Sequence, residues 1–322
     1  MKTKNILKKV IIACFGLALF SCSSSDEEII LNNTSNPVNS GELRLFVIDT
    51  AKINSISASG TNETTLINRK VNLNSYIKQL SIGRNGEKIA YIDVQSNGTI
   101  THSLRIINAN GTSDLELLSS SDSDFLSIKY CTDNKIHFAK KHRTTNAVKF
   151  GTINDDGSGL LEANAYHQSV VDITNDRNFI LLNTNSFGGT SKVQIIDMTL
   201  DGGAGGTYHT ENFPGIADYD VYKGNFTQDG KYAVITYKEG SEMKIRIIDM
   251  ATKTSTTKTI VTGITSWTSA DLELSSDSNR GVLTVMGGDY TSKTKSYLFK
   301  INDNTITEFQ NNDQYVLNVY PY

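Results

Sequence analysis

The sequence predicts an all-β fold, a six-bladed β-propeller with about four antiparallel strands in each blade. Three observations support this prediction. Short runs rich in β-branched residues recur along the chain and end at Asn, Asp, Gly or Ser. Long amphipathic helix patterns are absent from the 322 residues. One strand–turn–strand unit recurs at intervals of 43 to 53 residues, the spacing typical of propeller blades.

The clearest copy of this unit lies at residues 225–236 and reads Asn-Phe-Thr-Gln-Asp-Gly-Lys-Tyr-Ala-Val-Ile-Thr. Asp-Gly predicts a tight turn, and the apolar residues after it predict a strand. We take Asp229 as the reference position of the turn. The equivalent positions in the five copies are Asn85, Asp133, Asp176, Asp229 and Asp277.

A second motif follows each turn after about twenty residues, an apolar strand that closes on Asp or Asn and is predicted to be an outer strand. It has six copies against five turns, because residues 43–49 come before any turn and residues 314–320 are left over at the end. We therefore expect a closing blade that combines N-terminal outer strands with a C-terminal inner strand, which removes an open sheet edge. The six copies end at Asp49, Asn108, Asn154, Asp197, Asp249 and Asn302.

The turn unit resembles the repeat of TolB-type and related WD40-like propellers, which reads Ser-Pro-Asp-Gly-Lys before an apolar strand. The resemblance covers residues 42–320 and implies the propeller fold, which does not by itself imply a function. Glycine follows the turn position only at Gly86 and Gly230. The proline of the repeat is replaced in all five copies, by Arg84, Thr132, Asn175, Gln228 and Ser276.

The first 21 residues are predicted to be a lipoprotein signal peptide. Four lysines precede an apolar stretch at residues 10–20, which is too short to span a bilayer, a task that takes about 20 residues. Leu19-Phe20-Ser21-Cys22 resembles a bacterial lipobox, in which Cys22 is acylated and becomes the mature N-terminus. The alternative is an ordinary signal peptide with a chance cysteine.

Residues 22–40 are predicted to be a flexible tether, and residues 41–322 the propeller domain. Serines and then an acidic cluster follow Cys22, and this order resembles the export signal of Bacteroidetes surface lipoproteins. We expect an outer-membrane lipoprotein at the cell surface, a monomer that meets the membrane only through its lipid. The alternatives are a plain solvated tether and a periplasm-facing protein.

The charge of the chain argues against a nucleic-acid-binding protein, and its cysteine content argues against a protein stabilised by internal disulfides. Without the four signal lysines, 27 basic residues face 34 acidic ones, a formal charge of −7, so no nucleic-acid partner is expected. Cys14 is removed with the signal peptide and Cys22 carries lipid, which leaves Cys131 without a partner for an internal disulfide.

Motifs for catalysis, cofactors and metals are not found. The chain has no Gly-x-Ser-x-Gly, and the glycines at 202–206 lack the Lys-Ser/Thr of a phosphate-binding loop. Residues 154–157 suggest calcium only faintly, because Thr152 and Ala163 stand where ligands are needed. We therefore predict no catalytic residue, no cofactor and no metal site.

An aromatic residue lies eight to ten residues before every turn position. This is where the chain enters the innermost strand of each blade, so these side chains are expected to surround one mouth of the central channel and to bind a glycan or apolar peptide side chains. The alternative is that they wedge between blades. The predicted ligand-binding residues are Tyr76, Phe125, Tyr166, Tyr219, Trp267, their equivalent Tyr315 in the closing blade, and His167.

Several aspartates also fall near this mouth, where they are expected to add polar contacts, bind a cation or satisfy turn backbone groups. The leading hypothesis is a non-catalytic propeller that binds a glycan or another surface partner. The alternatives are a periplasmic scaffold that binds protein, as TolB-like propellers do, and a carbohydrate-active lyase or glycosidase with a cross-blade site. The aspartates are Asp122, Asp124, Asp218, Asp220 and Asp271.

Overall fold

The structure is a computed structural model, and its described part contains six four-stranded antiparallel sheets. This confirms the predicted all-β, six-bladed propeller. The described part contains no helix with the length and apolar character needed to cross a bilayer. The described residues are 44–49, 51–57, 63–68, 75–83, 86–96, 98–131, 133–164, 170–184, 191–200, 205–217, 221–264, 268–275, 277–287, 295–309 and 318–321.

The strands follow one another blade by blade. The chain begins with β1 (Arg44–Asp49), β2 (Lys52–Ser57) and β3 (Thr64–Asn68). Blade 1 contains β4 (Ser75–Ile82), β5 (Lys88–Ser96), β6 (Ile100–Asn108) and β7 (Leu115–Ser120). Blade 2 contains β8 (Ser123–Tyr130), β9 (Lys135–His142), β10 (Val148–Asn154) and β11 (Leu161–Asn164). Blade 3 contains β12 (Val170–Ile173), β13 (Phe179–Thr184), β14 (Ser191–Asp197) and β15 (Gly206–Phe213).

The remaining strands complete the ring. Blade 4 contains β16 (Val221–Phe226), β17 (Tyr232–Glu239), β18 (Glu242–Asp249) and β19 (Ser255–Val261). Blade 5 contains β20 (Thr268–Leu274), β21 (Arg280–Gly287), β22 (Lys295–Lys300) and β23 (Ile306–Phe309). The last strand is β24 (Asn318–Pro321), and it forms blade 6 together with β1, β2 and β3.

Blade 6 is shared between the two ends of the chain, as predicted. Its strand order is β24-β1-β2-β3, and β24 pairs with β1 from Leu45↔Pro321 to Ile48↔Asn318. The prediction that residues 43–49 form a copy of the second motif is wrong, because this strand, β1, holds the second place in its sheet. The strand that closes on Asp49 is therefore equivalent to the strands after the turns. The other copies of the second motif lie on third strands, which have a neighbour on both sides and are not outermost.

The first strands of the blades surround the central channel. Each contacts the first strand of the next blade, in the closed order β24, β4, β8, β12, β16, β20 and back to β24. We call the end of the propeller where these strands begin the rim, and the opposite end, where each first strand turns into the second, the turn face. Because β1 is a second strand, it begins at the turn face.

The apolar core lies between adjacent blades. Between blades 1 and 2, for example, Ile92 and Leu104 pack against Phe125 and Phe138 in one buried cluster. Phe138 lies across Gly151, its partner on the next strand, where an added Cβ would be 2.1 Å from the ring. Glycine is required there because any side chain would displace the aromatic ring.

Three of the turns, those with Thr174, Thr227 and Ser275, share one side-chain hydrogen-bonding pattern, shown by the reference copy. The Thr227 hydroxyl donates to Asp229 at 2.8 Å and accepts from the Tyr232 amide at 3.0 Å. Gly230 has a positive φ of 70°. Three other copies keep this left-handed conformation without glycine, at a typical cost of about 1–2 kcal/mol per residue. They are Asn134 (φ 59°), Arg177 (φ 63°) and Ser278 (φ 57°).

The turns of neighbouring blades are also joined to one another on the turn face. Each contact crosses from one blade to the next, so the turns help to hold the ring together in addition to reversing the chain. The contacts are Arg177 Nη2 to Asp133 Oδ2 (2.7 Å), Asn175 Nδ2 to the Gln228 carbonyl (2.6 Å), and the Asp229 amide to Ser278 Oγ (2.9 Å).

Candidate functional site at the channel rim

The structure describes two of the seven predicted ligand-binding residues, Tyr76 and Phe125. Both lie near the rim ends of first strands, as the turn spacing predicts. The other predictions fall outside the described residues, and so does Cys22, the predicted lipidation site. These positions are Tyr166, His167, Tyr219, Trp267 and Tyr315, with the neighbouring aspartates Asp218 and Asp220.

Tyr76 is an exposed aromatic residue at the rim, with 42% of its surface accessible. It begins a row of side chains that crosses blade 1 from the channel outward. Tyr76 pairs with Val94, Val94 with His102, and His102 with Ser120. Residues paired across strands point to the same face of a sheet, and Val94 belongs to the core between blades 1 and 2. The row therefore faces blade 2.

Phe125 does not present its ring at the rim, which corrects its assignment as a ligand-binding residue. It is fully buried and packs edge-to-face against Phe138, with ring centroids 5.4 Å apart. At this position the aromatic wedges between blades 1 and 2, as the alternative interpretation expected. The residue before it, Asp124, is the one whose side chain reaches solvent, with 41% of it exposed.

The Asp124 carboxylate is held in place from two sides. His102 Nε2 lies 3.1 Å from Asp124 Oδ1, and Arg143 Nε donates to the same oxygen at 2.8 Å. His102 Nδ1 accepts the Phe125 amide at 3.3 Å. Burial lowers the pKa of His102, an effect that Asp124 opposes. A neutral imidazole with both nitrogens engaged suits a positioning role rather than that of a general base.

Arg143 connects the loops around this carboxylate. Its Nη1 donates to the carbonyls of Ile100 at 2.7 Å and Ser121 at 2.6 Å. Ile100 begins β6 in blade 1, Ser121 precedes blade 2, and Arg143 itself follows β9. One guanidinium therefore fixes three segments of the rim relative to one another, which pre-organises the surface near Tyr76.

Asp122 is a second rim carboxylate, with 69% of its side chain exposed. It accepts hydrogen bonds from the hydroxyls of Ser120 and Ser123, each at 2.7 Å. These hydrogen bonds lower the pKa of Asp122, so it is charged at neutral pH. We call Tyr76, His102, Asp122, Asp124 and Arg143 the rim cluster.

The described residues contain no group of three or more His, Cys, Asp or Glu side chains arranged to hold a metal ion. His137, which the sequence places inside a strand, is buried at 7% exposure and lies away from the rim, at the turn end of β9. Burial, followed by the charge of Arg177, lowers its pKa to about 3. His137 therefore stays neutral in the fold at ordinary pH.

The sequence interpretation missed a second set of polar residues, which we call the inner ring. Its members stand four residues before the turn position of each blade, and the described contacts join neighbouring blades. Tyr130 N donates to Ser81 Oγ at 2.9 Å, and Asn225 Nδ2 to the Leu272 carbonyl at 2.7 Å. The sequence did contain a signal for these residues, because a polar residue stands at the same distance before each turn. The inner ring is Ser81, Lys129, Asp172, Asn225 and Glu273.

Asp172 forms the central contact of the inner ring. Its Oδ2 accepts from Lys129 Nζ of blade 2 at 3.0 Å and from the Phe226 amide of blade 4 at 2.7 Å. Asp172 is only 9% exposed. A single carboxylate therefore connects three consecutive blades at the channel wall.

Blades 4 and 5 are joined by a lysine between two carboxylates. Lys223 Nζ lies 2.5 Å from Asp271 Oδ1 and also contacts Glu273. Burial raises the pKa of Glu273, against the effect of Lys223. Burial disfavours the charged form of Lys223, but Asp271 and Glu273 outweigh it and raise the pKa of Lys223. Asp271 was expected near the rim. The structure places it on the channel wall instead, where it contacts Lys223.

Comparison with known proteins identifies the fold and no family. No family model matches the chain, and no curated protein does. TolB from Acinetobacter baumannii superposes with a TM-score of 0.63 at 12% identity, covering 88% of this chain and 66% of that one. A putative TolB from Agrobacterium tumefaciens gives 0.53 at 8% identity over 84% and 88%.

A chain of the nidogen/laminin complex is also similar, with a TM-score of 0.58 at 10% identity over 87% of this chain and 98% of that one. The protein thus shares the propeller architecture of TolB-like proteins. Identities this low establish a common fold and leave function to the site itself.

Proposed function

We propose that this protein is a non-catalytic binding propeller that captures a glycan or another surface partner at its rim. The observation that carries the proposal is the rim cluster, in which an exposed aromatic, Tyr76, shares a cross-strand row with His102, and His102 and Arg143 hold the carboxylate of Asp124. An aromatic ring beside a few fixed polar groups is the usual composition of a small ligand site.

The topology supports presentation of the rim away from a membrane. β1 begins at the turn face, opposite the rim. We propose that acylated Cys22 anchors the chain in the outer membrane at the cell surface. A flexible tether from Cys22 to β1 would have a root-mean-square length of about 25 Å, and its attachment at the turn face would allow the rim to face outward.

The undescribed members of the aromatic series belong to the same proposal. Tyr166, Tyr219 and Trp267 stand ten residues before their turn positions, His167 stands nine before, and Tyr315 is the expected equivalent in the closing blade. All five are proposed to extend the binding surface around the mouth.

A second candidate is a periplasm-facing scaffold that binds protein. It is favoured by the structural similarity to TolB and to a chain that was crystallised in a nidogen/laminin complex. In this case the same rim would contact a protein partner, and the tether would hold the domain at the inner leaflet of the outer membrane.

Protease treatment of intact cells separates the two candidates. A surface protein should be degraded by added proteinase K, whereas a periplasmic one should be degraded only after the outer membrane is permeabilised. Ligand class is tested on a glycan array with the wild type, Tyr76→Ala and a Tyr219→Ala/Trp267→Ala double variant. Equal array binding by all three proteins would remove the rim from the proposal.

A further inference from the structure

We propose that the rim cluster binds an uncharged carbohydrate in the groove between blades 1 and 2. This inference rests on the proposed function and names the class of ligand that the cluster selects. Three properties of the described residues support it: the spacing of the aromatic ring and the carboxylate, the direction of their free atoms, and the balance of charge.

The spacing follows from strand pairing. Tyr76 and His102 are separated by Val94 in one cross-strand row, so their backbones lie two strand spacings apart, about 10 Å. Asp124 contacts His102 directly, 3.1 Å from its Nε2. Tyr76 and Asp124 therefore both border the side of blade 1 that faces blade 2, and the surface between them is the groove of this proposal.

The atoms that face this groove are those that a sugar requires. Asp124 Oδ1 is occupied by His102 and Arg143, and among the described residues Oδ2 has no protein donor. Oδ2 is therefore available to accept hydroxyl donors from a ligand. The Tyr76 ring offers an apolar face for the C–H side of a sugar and a phenolic hydroxyl at its edge.

The cations near the groove are turned away from it. Arg143 directs its Nε to Asp124 and its Nη1 to two backbone carbonyls, and Lys78 donates to the Phe125 carbonyl at 2.6 Å. An anionic ligand would therefore meet the exposed oxygens of Asp122 and Asp124 first. An acidic sugar is disfavoured by this arrangement.

A cationic ligand gains no net attraction either. Asp122 and Asp124 are balanced by Lys78 and Arg143, and the buried His102 is neutral because burial lowers its pKa. Counted over the rim cluster and Lys78 alone, the formal charges cancel, so these groups give a ligand of either sign little long-range attraction. Stacking and hydroxyl hydrogen bonds remain as the favourable interactions, which fits a neutral glycan.

The test is isothermal titration calorimetry on the purified full chain. The neutral probes are maltohexaose, laminarihexaose, cellohexaose and mannohexaose, the acidic probe is hexagalacturonate, and the cationic probe is pentalysine. The variants are Tyr76→Ala, Tyr76→Phe and Asp124→Asn. Leu161→Ala, a 67% exposed apolar residue at the turn face, is the matched control. Thermal melting confirms that each variant is folded.

We expect at least one neutral oligosaccharide to bind, with affinity about tenfold weaker in Tyr76→Ala and nearly unchanged in Tyr76→Phe and Leu161→Ala. Asp124→Asn should weaken binding severalfold. Preference for hexagalacturonate or pentalysine, or neutral binding that Tyr76→Ala and Asp124→Asn leave unchanged, would overturn the inference and leave the broader binding function standing. Failure of every carbohydrate here and on the array would overturn both the inference and glycan capture.

Discussion

Replacing Asp172 with alanine tests whether the inner ring holds the blades together. The carboxylate accepts from Lys129 Nζ at 3.0 Å and from the Phe226 amide at 2.7 Å, and these partners belong to the blades on either side. Its removal leaves a buried amide without its partner, which typically costs about 1–3 kcal/mol. It also leaves the Lys129 ammonium unpaired at the channel wall.

Breaking a buried ion pair by removing one partner costs about 3–5 kcal/mol. The Lys129 side chain keeps 16% exposure to solvent, so the cost should lie at the lower end of this range. We expect Asp172→Ala to lower the free energy of unfolding by about 3 kcal/mol, which corresponds to a melting temperature lower by roughly 6–12 °C for a domain of this size.

The assay is urea denaturation followed by far-ultraviolet circular dichroism. Glu308→Ala is the matched control, because it breaks an exposed pair with Lys295 in which the side chains are 42% and 56% exposed. Such surface pairs contribute only about 0–1 kcal/mol. In a double-mutant cycle, Lys129→Met should recover part of the loss in Asp172→Ala, since no unpaired ammonium remains. A loss similar to that of the control, with no coupling to Lys129, would refute the reasoning.

Three further predictions concern the core and the turns. The pKa of His137 is lowered to about 3, so the unfolded chain binds the proton first and stability falls as pH drops below 6.5, by about 1.4 kcal/mol per unit. His137→Gln should flatten this dependence between pH 6.5 and 4.5 in urea titrations; equal slopes would contradict it. Gly151→Ala places a Cβ 2.1 Å from the Phe138 ring and should cost about 1–3 kcal/mol, partly restored by Phe138→Leu; an unchanged urea midpoint would show that the ring moves freely. Cys131 is 1% exposed, and burial raises its pKa to about 12, so Ellman's reagent should modify it only in denaturant; rapid reaction of the native protein would disprove this.

The repeat could be predicted from the sequence because its turns depend on local chemistry. Asp and Thr side chains accept hydrogen bonds from backbone amides only a few residues away, as at Thr227 and Asp229. The shared closing blade also followed from the count of motifs. The place of β1 within that blade could not be predicted, because second and third strands both have two neighbours and show similar alternation.

The aromatic series shows that distance from the turn position alone does not predict which side chains are exposed at the rim. Tyr76 stands nine residues before its turn position and Phe125 eight. A shift of one residue reverses the face of a strand. Ile77 and Phe125, both at eight, are buried, whereas Tyr76 and Asp124, both at nine, are exposed. The exposed position at the rim of blade 2 is thus an aspartate, Asp124, beside the predicted aromatic.

By itself the sequence determined the architecture: an all-β chain, six blades, and a closing blade made from both ends. It also determined which end of the blades carries the turns, because these features depend on residues close together along the chain. Only the tertiary structure decided which side chains meet. His102, Asp124 and Arg143 belong to different strands and loops, and the partners of Asp172 lie 43 and 54 residues away. Such contacts arise when blades pack, so no local pattern contains them.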